Sequence, residues 1–119
     1  MWNKKFLEQN ERKVLLKDKD SIYQANMKDI TVITCESYLS TVHFLNDQKP
    51  ISVSKLLKEF ENELESFGFF RANRNSLINL RNISSYQGSC KRTITLSDNQ
   101  KICLSYRKVP LLQRIFKFS

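Results

Sequence analysis

The chain predicts a mainly β fold with one short amphipathic helix and a second helix near its C-terminal end. Three observations carry that expectation. Short runs rich in Ile, Val, Thr and Leu recur along the chain, separated by polar turn-like clusters. Two pairs of these runs have hairpin spacing. Only one internal stretch, after Val53, sets apolar residues at helical rather than alternating positions.

Lys13 to Lys17 is a short apolar run, Asp18-Lys19-Asp20 reads as a turn, and Ser21 to Gln24 returns as its partner. Asp29 to Cys35 has strand composition. Ser40 to Leu45 and Ile51 to Val53 flank the polar loop Asn46-Asp47-Gln48-Lys49, a hairpin design. The design recurs in Arg92 to Leu96, the turn Ser97 to Gln100, and Lys101 to Ser105. In that return strand Ile102 and Leu104 share one side, and Lys101 and Cys103 the other. For the helix, Ser54 reads as the N-cap, with Leu56, Leu57, Phe60 and Leu64 on one face. Glu59, Glu61, Glu63 and Glu65 make its remaining surface acidic, so it should face away from a polyanion. Gly68 suits the end of that element. A shorter helix starts near Tyr106 or Lys108 and runs through Leu112 and Ile115, with Pro110 tolerated in its first turn.

With 119 residues, two glycines, two prolines and no linker or repeat, the expectation is a single domain over 1–119. The net charge of +8 is unevenly spread. Residues 1–69 hold ten Lys/Arg and eleven Asp/Glu, whereas residues 70–119 hold ten Lys/Arg and one acid, Asp98. A basic half points to a polyanionic partner. Cys35, Cys90 and Cys103 are widely spaced, with no CxxC and no Cys/His pair at ligand spacing, so no metal or cofactor is expected. All three read as at least partly buried thiols of a reducing cytoplasm. No apolar h-region follows Lys4 and Lys5, and no run reaches the length of a membrane span. Met1-Trp2 and the charged first segment lean toward a standalone protein.

No enzyme constellation is visible. The lone histidine, His43, lies on a strand without a catalytic neighbour in sequence and reads as structural. The helix glutamates are spaced for solvent, and no phosphate-cradling Gly-rich loop is present. Nor is there a phosphorylatable receiver, so any such input must come from another polypeptide.

The densest cluster of nucleic-acid-reading side chains lies in Phe69 to Leu80, where two Arg and two Asn fall within Arg71–Asn75. Arg and Asn fork onto the edges of guanine and adenine. Phe67, Phe69 and Phe70 follow the helix's apolar face and read as core rather than as base-stacking platforms. Asn79 reads as a cap or turn residue.

The pattern Phe69-x-Arg71-x-x-Arg74-x-x-Leu77-Ile78-Asn79, then Ile83, then a strand–turn–strand ending Ser105-Tyr106-Arg107-Lys108-Val109, resembles the LytTR DNA-binding domain. Asp29-Ile30, Tyr38 and the Val53-Ser54-Lys55-x-Leu57-Lys58-Glu59-Phe60 start of the helix fit the same family, and the resemblance spans about residues 10–116. It implies about ten short strands in an elongated arrangement of antiparallel sheets, and the output domain of a bacterial two-component response regulator. It also implies loops that enter successive major grooves, direct-repeat promoter sites, often a second copy on the DNA, and a sensor or receiver protein in trans. Base reading would fall to Arg74, Arg107, Tyr38, Ser37 and Asn75. Phosphate contact or support would fall to Asn73, Arg71, Lys91, Arg92, Lys108 and Lys55. This chain has Ser37-Tyr38-Leu39 where the family commonly has Asn-Tyr, and Asn73-Arg74-Asn75 where it has His-Arg-Ser.

Other readings stay open at this point. Arg71 could brace its loop, Asn73 could bond backbone, Tyr38 could pack at the core edge, and Lys91, Arg92 and Lys108 could be solvated charge. A single-strand or RNA-binding β module is the first alternative function, and would need aromatics exposed on a sheet face. A non-catalytic module that binds an acidic protein is the second.

Overall fold

A computed structural model describes residues 12–89 and 91–116. The described residues form ten strands in three antiparallel sheets and two short helices. β1 (Lys13–Lys17) and β2 (Ile22–Asn26) make a two-stranded sheet. β3 (Ile30–Glu36), β4 (Leu39–Phe44), β5 (Ile51–Val53), β6 (Phe69–Asn73) and β7 (Ser76–Asn79) make a five-stranded sheet in the order β5-β4-β3-β7-β6. β8 (Ile83–Gln87), β9 (Thr93–Leu96) and β10 (Lys101–Cys103) make the third. α1 is Leu57–Leu64 and α2 is Val109–Phe116.

The five-stranded sheet is the middle layer, and strand alternation explains its two apolar faces. Ile33 of β3, Leu77 of β7 and Phe69 of β6 point to one side, where Val14, Leu16 and Ala25 of the first hairpin and Leu57, Phe60 and Leu64 of α1 cover them. Val32, Ile78, Phe70 and Ala72 point to the other, against Ile94, Leu96 and Ile102 of the third sheet, Leu104 just after it and Leu112 of α2. Phe69 and Phe70 are thus core residues, one in each layer, and Phe67 is half-buried. Ile102 and Leu104 are buried, and Lys101 and Cys103 face outward, as alternation requires.

Two β-bulges set what lies on which face. In the pairing of β3 with β4, Ile30 opposes Phe44 but Val32 opposes His43, leaving Thr31 as the extra residue. Its buried hydroxyl donates to Asp98 Oδ2 at 2.9 Å and lies 3.2 Å from the His43 carbonyl, tying the middle sheet to the β9–β10 turn. The second bulge falls between Arg71 and Asn73 against β7.

Buried asparagines tie β7 and the turn after it to the start of β3 and the turn before it. Asn79 Nδ2 donates to the carbonyls of Met27 (3.0 Å) and Ile30 (2.9 Å), and its Oδ1 accepts from the Arg81 amide at 3.2 Å. Asn82 Nδ2 donates to the carbonyls of Lys28 (3.0 Å) and Ile30 (2.8 Å). Asn79 therefore caps the short 3-10 turn Leu80–Asn82, as its residue type suggested.

Some boundaries and roles differ from expectation. Ser54 is exposed and is not the N-cap; Leu56 takes that position, and its amide donates to Glu59 Oε2 at 3.1 Å. The buried Ser40 hydroxyl bonds the Lys55 carbonyl, which holds the chain extended past Ser54. Leu56, with extended dihedrals, falls outside the helical periodicity, so it is 58% exposed instead of lying on the buried face. Cys103 is exposed because it alternates with Ile102 and Leu104, against the expectation of a partly buried thiol. Cys35 is half-buried, and Cys90 lies outside the described residues. Gly68 ends the segment after α1 at φ +91°, a left-handed conformation that glycine adopts without a Cβ penalty.

Asn79→Ala should lower stability by roughly 1–3 kcal/mol, the cost of a lost buried amide network, read as a fall in the urea midpoint at constant slope. A change below roughly 0.5 kcal/mol, the usual surface value, would contradict the anchoring role. His43, whose Nε2 lies 3.0 Å from Thr34 Oγ1, has its pKa lowered below the ordinary 6.5 by burial, with the nearby Asp98 charge opposing that shift. Between the folded and unfolded values the unfolded chain binds the extra proton, so stability rises with pH. The contribution is fully present above 6.5 and is lost as pH falls through the folded pKa. His43→Gln should flatten the stability profile in that window.

Candidate nucleic-acid interface

Three connecting segments named from the sequence meet at one end of the middle sheet. The first is the two-residue turn Ser37-Tyr38 between β3 and β4, closed by the Glu36–Leu39 pair. Ser37 sits at φ +59°, and Tyr38 is 82% exposed, so its ring projects instead of packing at the core edge. The second is Arg74-Asn75 between β6 and β7, closed by Asn73 and Ser76. The pairing of Thr34 with Ser76 places both turns at the same end of the sheet. A bond from the Cys35 amide to the Asn75 carbonyl (3.0 Å) extends that pairing to the base of the turns.

The bulge in β6 recruits the third segment. Phe69 and Arg71 face α1, while Phe70 faces the third sheet. Uninterrupted alternation would turn Asn73 toward α1. The extra residue at Ala72 re-aims it. Asn73 Nδ2 then donates to the Cys103 carbonyl at 2.7 Å, and its Oδ1 accepts from the Asn75 amide at 2.8 Å. The Ser105 amide donates to the Ala72 carbonyl at 2.9 Å. These bonds hold the 3-10 turn Tyr106–Lys108, with Arg107, against the Arg74 turn.

Arg74 and Arg107 are both exposed, and neither forms an ion pair among the described residues. Arg71 is placed differently. Its Nε donates to the Asn73 carbonyl (3.0 Å), Nη2 to the Arg74 carbonyl (2.6 Å), and Nη1 to Glu61 Oε1 (2.9 Å). Every donor group of that guanidinium has a protein acceptor, the geometry of a loop brace.

A family model for the LytTr DNA-binding domain matches residues 20–117. The chain belongs to the LytTR family. A solved LytTr DNA-binding domain, from a protein described as a methyl-accepting/DNA response regulator of Bacillus cereus, has the same fold. It superposes with a TM-score of 0.75 at 16% identity, covering 89% of this chain and 97% of that one. No curated protein matches.

Of the other basic residues named from the sequence, Arg92 and Lys108 lie at the third turn of this LytTR domain, and Lys55 lies against α1. Arg92 lies in the β8–β9 connection at φ +44°, a conformation uncommon for non-glycine residues. It is held there by Nε donating to the Leu104 carbonyl (3.0 Å) and by its own carbonyl accepting from the Leu104 amide (2.8 Å). Its guanidinium also lies 5.7 Å from the Tyr106 ring centre, so this connection packs on the third turn. Lys91 beside it is exposed. Lys108 is half-buried, its Nζ 6.0 Å from the Phe70 ring centre. Lys55 folds back to pair with Glu63 and sits 4.6 Å over the Phe60 ring.

Sequence reading missed Tyr106, which is 77% exposed next to Arg107. It also missed Asn82, whose role parallels that of Asn79. The resemblance of Asn79-Leu80-Arg81-Asn82-Ile83 to Asn26-Met27-Lys28-Asp29-Ile30 is a signal that marks both as strand-entry turns. Among the described residues no cluster suited to a metal ion occurs, and no helix is long and apolar enough to cross a membrane.

Proposed function

We propose that this LytTR domain binds double-stranded DNA sequence-specifically, through the Ser37-Tyr38, Arg74-Asn75 and Tyr106–Lys108 turns inserted into the major groove, and acts as a bacterial transcriptional regulator. The observation that carries the reading is the convergence of the three turns. The Cys35–Asn75 backbone bond and the Asn73–Cys103 bridge join them at one end of one sheet, with Arg74 and Arg107 projecting unpaired among the described residues. A guanidinium held this way can fork onto guanine O6 and N7. Asn75 offers adenine readout, and Tyr38 and Ser37 a third contact region. Lys91, Arg92 and Lys108 supply phosphate contacts that orient the domain without reading sequence. Asn73, Arg71 and Lys55 are supporting residues, since each spends its polar groups on the protein.

The single-strand alternative is disfavoured by a specific observation. It needs aromatics exposed on a sheet face. Phe69 and Phe70, the aromatics beside the Arg/Asn cluster, are buried between layers, and among the described residues Tyr23 of β2 is the strand aromatic left exposed, on the hairpin away from the three turns. Binding to direct-repeat promoter sites by two copies, with a sensor or receiver supplied in trans in the cytoplasm, completes the proposal. An acidic-protein partner remains the outcome if no duplex is shifted at low salt.

The test is selection of bound duplexes from a random pool, followed by titration of variants. With about five phosphates neutralised, log affinity should fall against log salt with a slope of about −4 to −5. Arg74→Ala and Arg107→Ala should each cost roughly 1–3 kcal/mol on the selected site and relax preference at one base. Lys91→Ala should weaken selected and random duplexes about equally. Equal losses on both duplexes for the two arginine variants would refute base reading by them.

A further inference from the structure

We infer that Glu61, an acidic residue on α1, is a positioning residue for the DNA-reading turn, acting through Arg71 to set the aim of Arg74; this rests on the function proposed above. The side chains concerned are fixed by the strand register. Arg71 opposes Leu77 and shares its face with Phe69, so its side chain runs toward α1. There the Glu61 carboxylate meets Nη1 at 2.9 Å. The two side chains are only 20% and 17% exposed, unlike a solvated surface pair, and the hydrogen bond between them is charge-assisted. The rest of the guanidinium fork takes the carbonyls of Asn73 and Arg74, two consecutive peptide groups of the turn. Glu61 therefore orients a rigid plane whose other edge holds the backbone from which Arg74 projects. On the opposite side the turn is held by the Asn73 bridge to Cys103. The turn is gripped from both faces, and a side chain on it is pre-organised before it meets a ligand. The only other cation near Glu61 among the described ion pairs is Lys58, 3.7 Å away with 69% of its side chain exposed, and it reaches no part of the turn.

Simple electrostatics predicts the opposite sign. Removing an acid from a module that binds a polyanion should tighten every duplex. A positioning role predicts that Glu61→Gln weakens the selected site while leaving a scrambled duplex of equal length bound as tightly as before or more so. The expected loss on the selected site is roughly tenfold, within what one well-placed guanidinium–base contact contributes.

The experiment measures Glu61→Gln, Arg71→Lys, Arg74→Ala and the double variant Glu61→Gln/Arg74→Ala on both duplexes, with urea unfolding for each. Arg71→Lys keeps the charge but loses the fork, so it should lose affinity on the selected duplex and little on the scrambled one. In the Arg74→Ala background Glu61→Gln should cost nothing further on the selected site, since the residue it positions is gone. If Glu61→Gln tightens both duplexes equally, or its effect persists undiminished without Arg74, the positioning role is overturned. If Glu61→Gln fails to fold, Arg71→Lys and its combination with Arg74→Ala decide by the same comparison. A wild-type protein that does not distinguish the two duplexes would overturn sequence reading itself, and this inference with it.

Discussion

The antiparallel register between β3 and β7 is the constraint on which the remaining structure depends. Val32 opposes Ile78, Ile33 opposes Leu77 and Thr34 opposes Ser76. These strands are the centre of the middle sheet and are buried on both faces, so a one-residue slip would exchange the two cores. The same register sets the Ser37-Tyr38 and Arg74-Asn75 turns at one end. At the far end, Asn79 and Asn82 both bond the Ile30 carbonyl and prevent the strands from sliding. At the near end, the Cys35 amide bonds the Asn75 carbonyl. Each buried amide here satisfies backbone that no strand partner reaches.

On that fixed register, two bulges distribute polar side chains between layers. The bulge at Thr31 sends a hydroxyl to Asp98 and so connects the middle sheet with the β9–β10 turn. The bulge at Ala72 has the larger consequence, because it places Arg71 and Asn73, two residues apart, on opposite faces. One braces the reading turn against α1 and the other against β10. A strand without the bulge would put both on one side and leave β10 without its side-chain bond to the middle sheet.

Much of this arrangement was legible in the sequence, for identifiable reasons. The β4–β5 and β9–β10 hairpins follow from apolar alternation broken by polar clusters, and the buried face of α1 from Leu57, Phe60 and Leu64. Asn79 was readable as a cap by residue type. The hairpin formed by β6 and β7 was less legible, because Arg71, Asn73, Asn75, Ser76 and Asn79 give it the composition of a loop. Ser76 and Asn79 are nevertheless buried, which composition alone does not indicate. Ser54 was misread because local cap preference was overruled by the Ser40 bond to Lys55, a long-range contact. The site shows the same division. Exposed Arg74 and Arg107 were visible as residue types in a motif. Their supports, Glu61 for Arg71 and the Cys103 carbonyl for Asn73, lie 10 and 30 residues away and exist only once the sheets are assembled.

The central claim is that the three turns engage a duplex as one surface. Titration of the labelled domain with a selected duplex, followed through backbone amide chemical shifts, tests it most directly. Amides at Tyr38, Asn75 and Arg107 should move together at one stoichiometry, while those of the β1–β2 turn stay in place. Shifts confined to one of the three turns, or centred on the β1–β2 hairpin, would contradict it.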